Sequence, residues 1–387
     1  MKVFSIWDTK LSSETILEEN LILSGSELIS SVRRLYVDSG PVGEWVLASS
    51  TRPASDRVGR FEKSKILRVC SFFKFKIRNI YLIIRNRPDL ILCHFGQTGA
   101  RYARLANYLN IPLVSIFYGH DISAALKSKR WRRKYKAFIK FSNHSIVMCQ
   151  EAKDRLQSFG CDASDITIWN LPVSFVGIKS KNRSAFSISN PLKVVTAGRF
   201  VEKKGYSSLF SLLRLAMDEG ITLNLTAFGY GNGFETLKNE AELKGISNQI
   251  NWKIGLTGDH FRSEFGAALV DANYFLFAGE TAENGDDEGG IPLSIVLAQA
   301  SNTPLISSRF TGFEVSAING FSAFVCDIPF DLSALKIINS TKGQQELLSN
   351  IAMNGSNIAR SEFDLTSQIE KLRKILEKVI TLKTSYK

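Results

Sequence analysis

The chain is poor in the residues that mark exported, disordered or membrane-spanning proteins. Its five cysteines, Cys70, Cys93, Cys149, Cys161 and Cys326, are odd in number, scattered, and without CxxC or Cys/His ligand spacing. That pattern speaks against a disulfide scaffold or a zinc site and for reduced, buried thiols. Nine prolines in 387 residues, with no low-complexity stretch and no internal repeat, leave little room for disorder or a solenoid. No window reaches the roughly 18 apolar residues of a membrane span, and the start, MKVFSIWD, lacks the basic region and long apolar run of a secretory signal. A cytoplasmic protein is expected.

What is there points to two α/β domains. The chain exceeds the roughly 250 residues at which hydrophobic cores split, and 44% apolar with 22% charged residues is an ordinary globular composition. A net charge of +12 invites nucleic acid or an anionic membrane as partner, because clustered Lys and Arg bind phosphates. The charge concentrates at 60–87 and above all at 127–141, KSKRWRRKYKAFIKF. Aromatics interleaved with cations fit a helix lying on lipid headgroups, a peripheral contact on the cytoplasmic face of a membrane; a solvated basic helix face is the plainer reading. No nucleic-acid-binding motif accompanies the charge, so nucleic acid is not an expected partner.

Short apolar runs alternate with helical spacing through both halves, the pattern of βαβ units around parallel sheets covered on both faces. Strands are predicted at 3–7, 45–48, 90–94, 113–117, 145–148 and 166–169, with helices at 26–36, 99–108 and 151–159. The polar, serine-rich stretch 177–191 reads as a linker. The pattern then restarts, with strands at 193–197, 223–228, 250–254, 274–277, 305–307 and 323–326. The expected organisation is a Rossmann-like domain over 1–176, the linker 177–191, a second Rossmann-like domain over 192–360 and a closing segment 361–387. In that segment Ser367 and Glu370 have capping-box spacing, and Ile369, Leu372, Ile375, Leu376 and Val379 form one stripe. The resulting helix docks on its own domain or packs back on the first. Two such domains create a cleft at the carboxyl ends of both sheets, where open α/β folds bind ligands.

The segment 194–206, VVTAGRFVEKKGY, carries the strongest chemical signal: a strand running into Gly198, then Arg199 and Lys204 five residues apart ahead of a helix. Backbone N–H groups and a positive helix end face outward at such an entry, and two cations add charge-assisted bonds, so a diphosphate would fit between them. Arg and Lys at a βα turn are otherwise simply solvated. Glu288-Gly289-Gly290-Ile291-Pro292 opens a later helix, where glycine lets backbone amides approach a sugar or phosphate, or is an ordinary Gly/Pro loop. The acidic run Asp286, Asp287, Glu288 has no further oxygen-ligand spacing, so no metal is assigned. His94 falls at a strand's carboxyl end, where it either meets a ligand or packs.

Together these segments resemble glycosyltransferase family four, in the branch that builds colanic acid and other exopolysaccharides. Gly198 to Gly205 resembles its GR…EKKG signature, and Ser13-Glu14-Thr15 its SET loop. His94-Phe95-Gly96 and the 111–121 segment IPLVSIFYGHD resemble its HFG and IPLV…HGxD pair. Gly229 and Gly231 match its GxG strand end, and Asp286 to Pro292, with 298–304 and 312–315, its donor-binding region. The landmarks stand in the family's order over residues 1–330. The resemblance implies a GT-B fold, two Rossmann-like doubly wound α/β domains facing a central cleft. It implies a UDP- or GDP-sugar donor held mainly by the second domain, a polysaccharide or lipid-linked acceptor held by the first, and retaining transfer with no obligatory metal or other cofactor. Arg199 and Lys204 would then hold the diphosphate and stabilise the leaving nucleotide, with Glu288 near the donor sugar and His120 as a further catalytic candidate. Gly198, Gly229, Gly231, Gly289, Gly290, Ile291, Pro292 and Gln299 would line the donor. Ser13, Glu14, Thr15, His94, Gly96, Tyr118 and Asp121 would line the sugar or acceptor.

Two departures stand out. The first position of the HGxD motif is Tyr118 instead of histidine, and a phenol with an unperturbed pKa near ~10 carries protons poorly at neutral pH. Either His120, two residues on, takes the role, or the role is one of positioning, or His120 is an ordinary loop histidine. Alignment through Pro292 then puts Leu297 where the family has its second glutamate. Leucine accepts no bond from a ribose hydroxyl, and a buried hydroxyl left unpaired costs roughly 1–3 kcal/mol unless Gln299 or water compensates. A non-catalytic, GT-B-shaped binding or partner subunit is therefore the competing expectation.

Overall fold

The computed structural model describes residues 3–7, 77, 79–181, 191–256 and 258–385. Ser13, Glu14 and Thr15, the helix expected at 26–36 and the strand expected at 45–48 lie outside the described residues. Contacts divide the chain into two units, Met1–Pro172 with Leu365–Lys387, and Val173–Asp364.

In the first unit β1 (Val3–Trp7), β2 (Leu90–His94), β3 (Leu113–Ile116), β4 (His144–Val147) and β5 (Ile166–Ile168) lie side by side in that order, all parallel. Every residue of β2, β3 and β4 is buried, which is why these strands lack a polar–apolar alternation. The helix Gly96–Tyr108 lies close on β3: a Cβ on Gly99 would stand 2.0 Å from Ser115 Oγ.

The closing helix Leu365–Ser385 belongs to this first unit. Its stripe of Leu372, Leu376 and Val379 is buried with Val3, Leu90, Val114, Ile146 and Trp169, and the Trp169 indole N–H donates to the Gln368 carbonyl at 2.9 Å. Each such apolar side chain contributes on the order of 1.5–3 kcal/mol when fully buried. The capping box does not form. The helix already begins at Leu365, so Ser367 sits inside its first turn, and Glu370 turns forward to Arg373, at 2.8 and 2.6 Å.

In the second unit β6 (Leu192–Arg199), β7 (Leu223–Tyr230), β8 (Ile250–Ile254), β9 (Tyr274–Phe277), β10 (Leu305–Ser308) and β11 (Phe324–Cys326) form a parallel sheet of order β11-β10-β9-β6-β7-β8. Residues 177–181 of the expected linker pack here too. Val173 and Ile178 enter the core, and Lys181 Nζ donates to the Ala272 carbonyl at 2.6 Å, just past the helix Gly258–Asp271, where a cation suits the exposed carbonyls of a helix end. The sheet order reverses at β6, with β7 and β8 on one side and β9 to β11 on the other. Ligands of such sheets bind outside the carboxyl ends at that reversal. β6 pairs with β9 only at Val194 and Val195, then runs on to Arg199. No helix among the described residues is long and apolar enough to cross a membrane.

Candidate active site

The turn after β6 carries the cations of the second unit. A 3₁₀ turn, Glu202–Lys204, leads through Gly205 into the helix Tyr206–Asp218. Gly205 has φ +64°, and a Cβ there would stand 1.8 Å from the Ala278 carbonyl oxygen, so only glycine lets the turn press on the end of β9. That contact brings Lys204 Nζ to 2.8 Å from the Glu288 carboxylate and 5.1 Å from the centre of the Phe277 ring, with its stem along Gly198. The two side chains are 11% and 9% exposed. Burial first of all pulls the Lys204 pKa below its ordinary value; Glu288 opposes the pull, while Lys203 and Arg199 add to it. Arg199 itself is half-buried at the end of β6, and among the described residues its guanidinium has no hydrogen bond or ion pair.

Lys203, which the motif reading passed over, is what fixes the acidic loop. It is buried, donating to the Asp287 carbonyl at 2.7 Å and Asp286 Oδ1 at 3.2 Å, while Thr311 donates to Asp287 Oδ2 at 3.1 Å. A 3₁₀ turn has three residues per turn, so of two successive lysines one points under the loop and the other beside Arg199. The doubled lysine was the available clue. Among the described residues no group of three or more His, Cys, Asp or Glu could hold a metal ion.

Gly289, at φ +70°, and Gly290, Ile291 and Pro292 lead into the helix Leu293–Ala300. Ser294 of its first turn donates to the Ala197 carbonyl at 2.9 Å, so these residues reach the same end of the sheet as Arg199 and Lys204. Gly229 and Gly231 serve packing: a Cβ on Gly229 would stand 2.3 Å from the Gly198 carbonyl, and one on Gly231 3.3 Å from the Phe200 amide. They let the β7 turn close on the backbone that presents Arg199. Gln299 was expected to line the donor. It is 1% exposed and its amide donates to the Ser316 and Ser322 carbonyls at 3.0 and 3.3 Å, fastening that loop instead of compensating for Leu297. Leu297 is half-buried against the apolar core.

In the first unit the chain leaves β2 through Phe95, a non-glycine residue at φ 71°, a conformation that costs on the order of 1–3 kcal/mol. Gly96 follows because a Cβ there would meet the Phe117 ring at 2.0 Å. Its amide, the first of the helix Gly96–Tyr108, donates to Asp121 Oδ2 at 2.8 Å, while Asp121 Oδ1 accepts from the Tyr118 and Gly119 amides at 3.0 Å each. Asp121 is fully buried. Burial raises its pKa, and the backbone N–H bonds work in the opposite direction. Expected at the sugar or acceptor, it has both oxygens accepting backbone amides that hold the Phe95–Gly96 turn to the 118–121 loop.

His94 is fully buried, and its Nδ1 lies 2.6 Å from the Tyr118 hydroxyl. Burial lowers its pKa well below the usual histidine range, which keeps it neutral. The two rings are nearly parallel, 16° apart, with centres at 6.1 Å. His120, by contrast, is exposed. The structure thus groups Arg199, Lys204, Glu288 and 289–292 in the second unit, and His94, Gly96, Tyr118 and Asp121 in the first.

The basic segment forms the helix Lys129–Ile139. Tyr135 and Phe138 are buried against Phe117, the Tyr135 hydroxyl donates to the Asp121 carbonyl at 2.9 Å, and Trp131 lies half-buried under Arg101 and Lys134. Lys127, Lys129, Arg130, Arg132, Arg133, Lys136 and Lys140 are exposed. Helical periodicity therefore separates what the linear order interleaves: aromatics inward, cations outward.

Residues 178–357 match the family model for glycosyl transferases group 1, and residues 45–174 that for glycosyltransferase family 4. Among curated proteins the amylovoran biosynthesis glycosyltransferase AmsK of Erwinia amylovora is 25% identical over 297 residues, 75% of this chain and 70% of the relative. The putative colanic acid biosynthesis glycosyltransferase WcaL of Escherichia coli is 25% identical over 228 residues, 58% of this chain and 54%, about half, of the relative. Among solved structures Anabaena HepE in complex with UDP and glucose superposes with a TM-score of 0.71 at 16% identity, over 98% of this chain and 100% of that one. The lipopolysaccharide outer core galactosyltransferase WaaB superposes with a TM-score of 0.62 at 15% identity, over 98% and 100%. At such identities the structural likeness speaks to the fold alone.

Proposed function

The chain belongs to the family-four glycosyltransferases, with a GT-B fold, and from that membership we propose that it transfers a sugar from a UDP- or GDP-sugar, with retention, onto a polysaccharide or lipid-linked oligosaccharide of the cell envelope. The observation that carries this reading is Arg199, a half-buried cation with no ion pair among the described residues, beside the buried Lys204–Glu288 pair at the carboxyl end of β6. A nucleoside diphosphate gains negative charge as the sugar–oxygen bond breaks. Cations already fixed and partly desolvated stabilise that charge without having to reorganise. Glu288, next to Gly289 and Gly290 in the loop ahead of the helix Leu293–Ala300, is the proposed contact to the donor sugar. Because Arg199 and Lys204 provide the positive charge, the transfer is proposed to need no metal, and undiminished turnover in excess chelator is the check.

The names of AmsK and WcaL support a role in exopolysaccharide biosynthesis, and the ligands of HepE support a nucleotide-linked donor. The exposed cations of 127–140 support a peripheral contact with anionic lipid at the cytoplasmic face of the membrane, where a lipid-linked acceptor would be found.

A thermal-shift panel of UDP, GDP and their sugars against the wild-type chain and Arg199→Ala tests the donor site. Stabilisation by one nucleotide family is expected, with affinity at least ten-fold weaker in the variant, about 1.4 kcal/mol. No response to any nucleotide would favour the non-catalytic subunit, a reading that Leu297, apolar at the ribose-binding position, supports.

A further inference from the structure

We propose that His94 and Tyr118 act as one unit, His94 holding the Tyr118 hydroxyl so that the phenol oxygen accepts a hydrogen bond from a sugar hydroxyl. This assignment rests on the glycosyltransfer reading above. It makes Tyr118 the group that touches substrate and His94 a positioning residue, and it removes the need for His120 to replace the missing motif histidine.

The geometry points to this from four sides. The two residues stand at and just past the carboxyl ends of adjacent parallel strands, β2 and β3, the end at which open α/β sheets bind ligands. His94 is sealed from solvent whereas Tyr118 is half-buried, so of the pair only the phenol is within reach of a substrate. Their contact is short, 2.6 Å. A phenol O–H is a better donor than an imidazole N–H, and a neutral imidazole nitrogen a better acceptor than a phenol oxygen, so the pair settles as O–H···Nδ1 with the histidine proton on Nε2. Neutrality of the histidine follows from its burial. A phenol that donates in this way carries more negative charge on its oxygen and accepts more strongly in turn. The tyrosine is also fixed from both ends: its amide donates to Asp121 at 3.0 Å, and the Phe95 ring, 4.7 Å away, lies against it. Phe95 does so from a left-handed backbone, φ 71°, a strain of the kind that persists where it serves a site.

The chain has four histidines, so ¹⁵N-histidine labelling gives a spectrum that single His→Gln variants assign completely. His94 is expected as the neutral Nε2–H form at neutral pH, with its Nδ1 resonance displaced in Tyr118→Phe; a Nδ1–H form, or a charged ring, overturns the proposal. In sugar transfer, Tyr118→Phe and His94→Leu are each expected to lower kcat/KM at least ten-fold, and the double variant no further than the worse single. His94→Asn, whose carboxamide oxygen stands near the place of Nδ1, is expected to recover most of the loss, with all melting temperatures close to that of the wild type. Additive losses, or losses that track melting temperature, overturn the proposal. A wild-type enzyme that turns over while Tyr118→Phe is unaffected overturns this inference alone; a wild-type chain with no nucleotide binding and no turnover overturns the glycosyltransfer reading with it.

Discussion

At the scale of single residues, burial decides what charge a side chain carries and which substitution it tolerates. His144, 8% exposed and bonded through Nε2 to Thr167 Oγ1 at 2.8 Å, has its pKa lowered to about 4, by burial first and by the Lys378 ammonium second. Unfolded, the imidazole takes a proton near pH ~6.5; folded, it refuses one until about pH 4. The associated stability is complete above pH ~6.5 and is lost as pH falls toward the folded value, to an extent on the order of 2 kcal/mol once the pocket of about 640 Å³ beside it, lined also by Lys378, is allowed for. A plot of unfolding free energy against pH is expected to lose that acid limb in His144→Gln. Gly205→Ala should destabilise by at least ~2 kcal/mol, because strain at φ +64° is joined by a collision with the Ala278 carbonyl. Gly220→Ala, at φ +74° with nothing within 4 Å, should cost about half as much. Equal midpoint shifts in urea would refute the collision. Gly205 was legible as part of a motif, but its reason was not. Nor could the sequence tell Lys203 from Lys204, or foresee that Asp121 accepts from the Gly96 amide and that the Gln299 amide nitrogen donates to the Ser316 and Ser322 carbonyls, since those partners lie 17 to 25 residues away.

At the scale of elements, the strands were the most readable. β1, β2, β8 and β9 occupy the spans predicted for them; for β2 and β9, buried along their whole length, the reason is that a parallel strand covered on both faces needs an apolar run. The helix Lys129–Ile139 shows the limit. From 122 to 150 there are eight Lys and Arg and no acidic residue. Pairs such as Lys129/Arg133 and Arg132/Lys136 therefore repel at i,i+4, at about 0.2–0.5 kcal/mol each, and no acid serves the first turn. Tyr135 and Phe138 hold the helix in place from below. A face kept cationic against its own helix's stability suits an external anion, and with the aromatics facing inward the proposed lipid contact would be electrostatic, without insertion. Flotation with vesicles should require anionic lipid, disappear at roughly 0.5 M salt, and fail in Arg130→Glu/Arg133→Glu while the melting temperature stays level or rises. Binding to neutral vesicles would refute this account.

For the whole molecule, the closing helix completes the core of the first unit, although nearly two hundred residues of the second unit precede it. Ending the chain after Asp364 would expose Trp169, Leu90 and Val114. Hydrogen exchange is expected to show protection lost across β2 to β4 and retained in β6 to β10; equal loss in both units would mean that they fold as one. Composition, the alternation of apolar runs and helical stretches, and the ordered motifs around Arg199 and Lys204 determined two parallel-sheet units and a glycosyltransferase, because each is written in residues close together in the chain. Which stripe covers which sheet, which lysine faces the site and which histidine meets Tyr118 were decided only by the tertiary structure. Those choices depend on contacts between residues far apart in sequence, where burial and competing hydrogen-bond partners outweigh any local pattern.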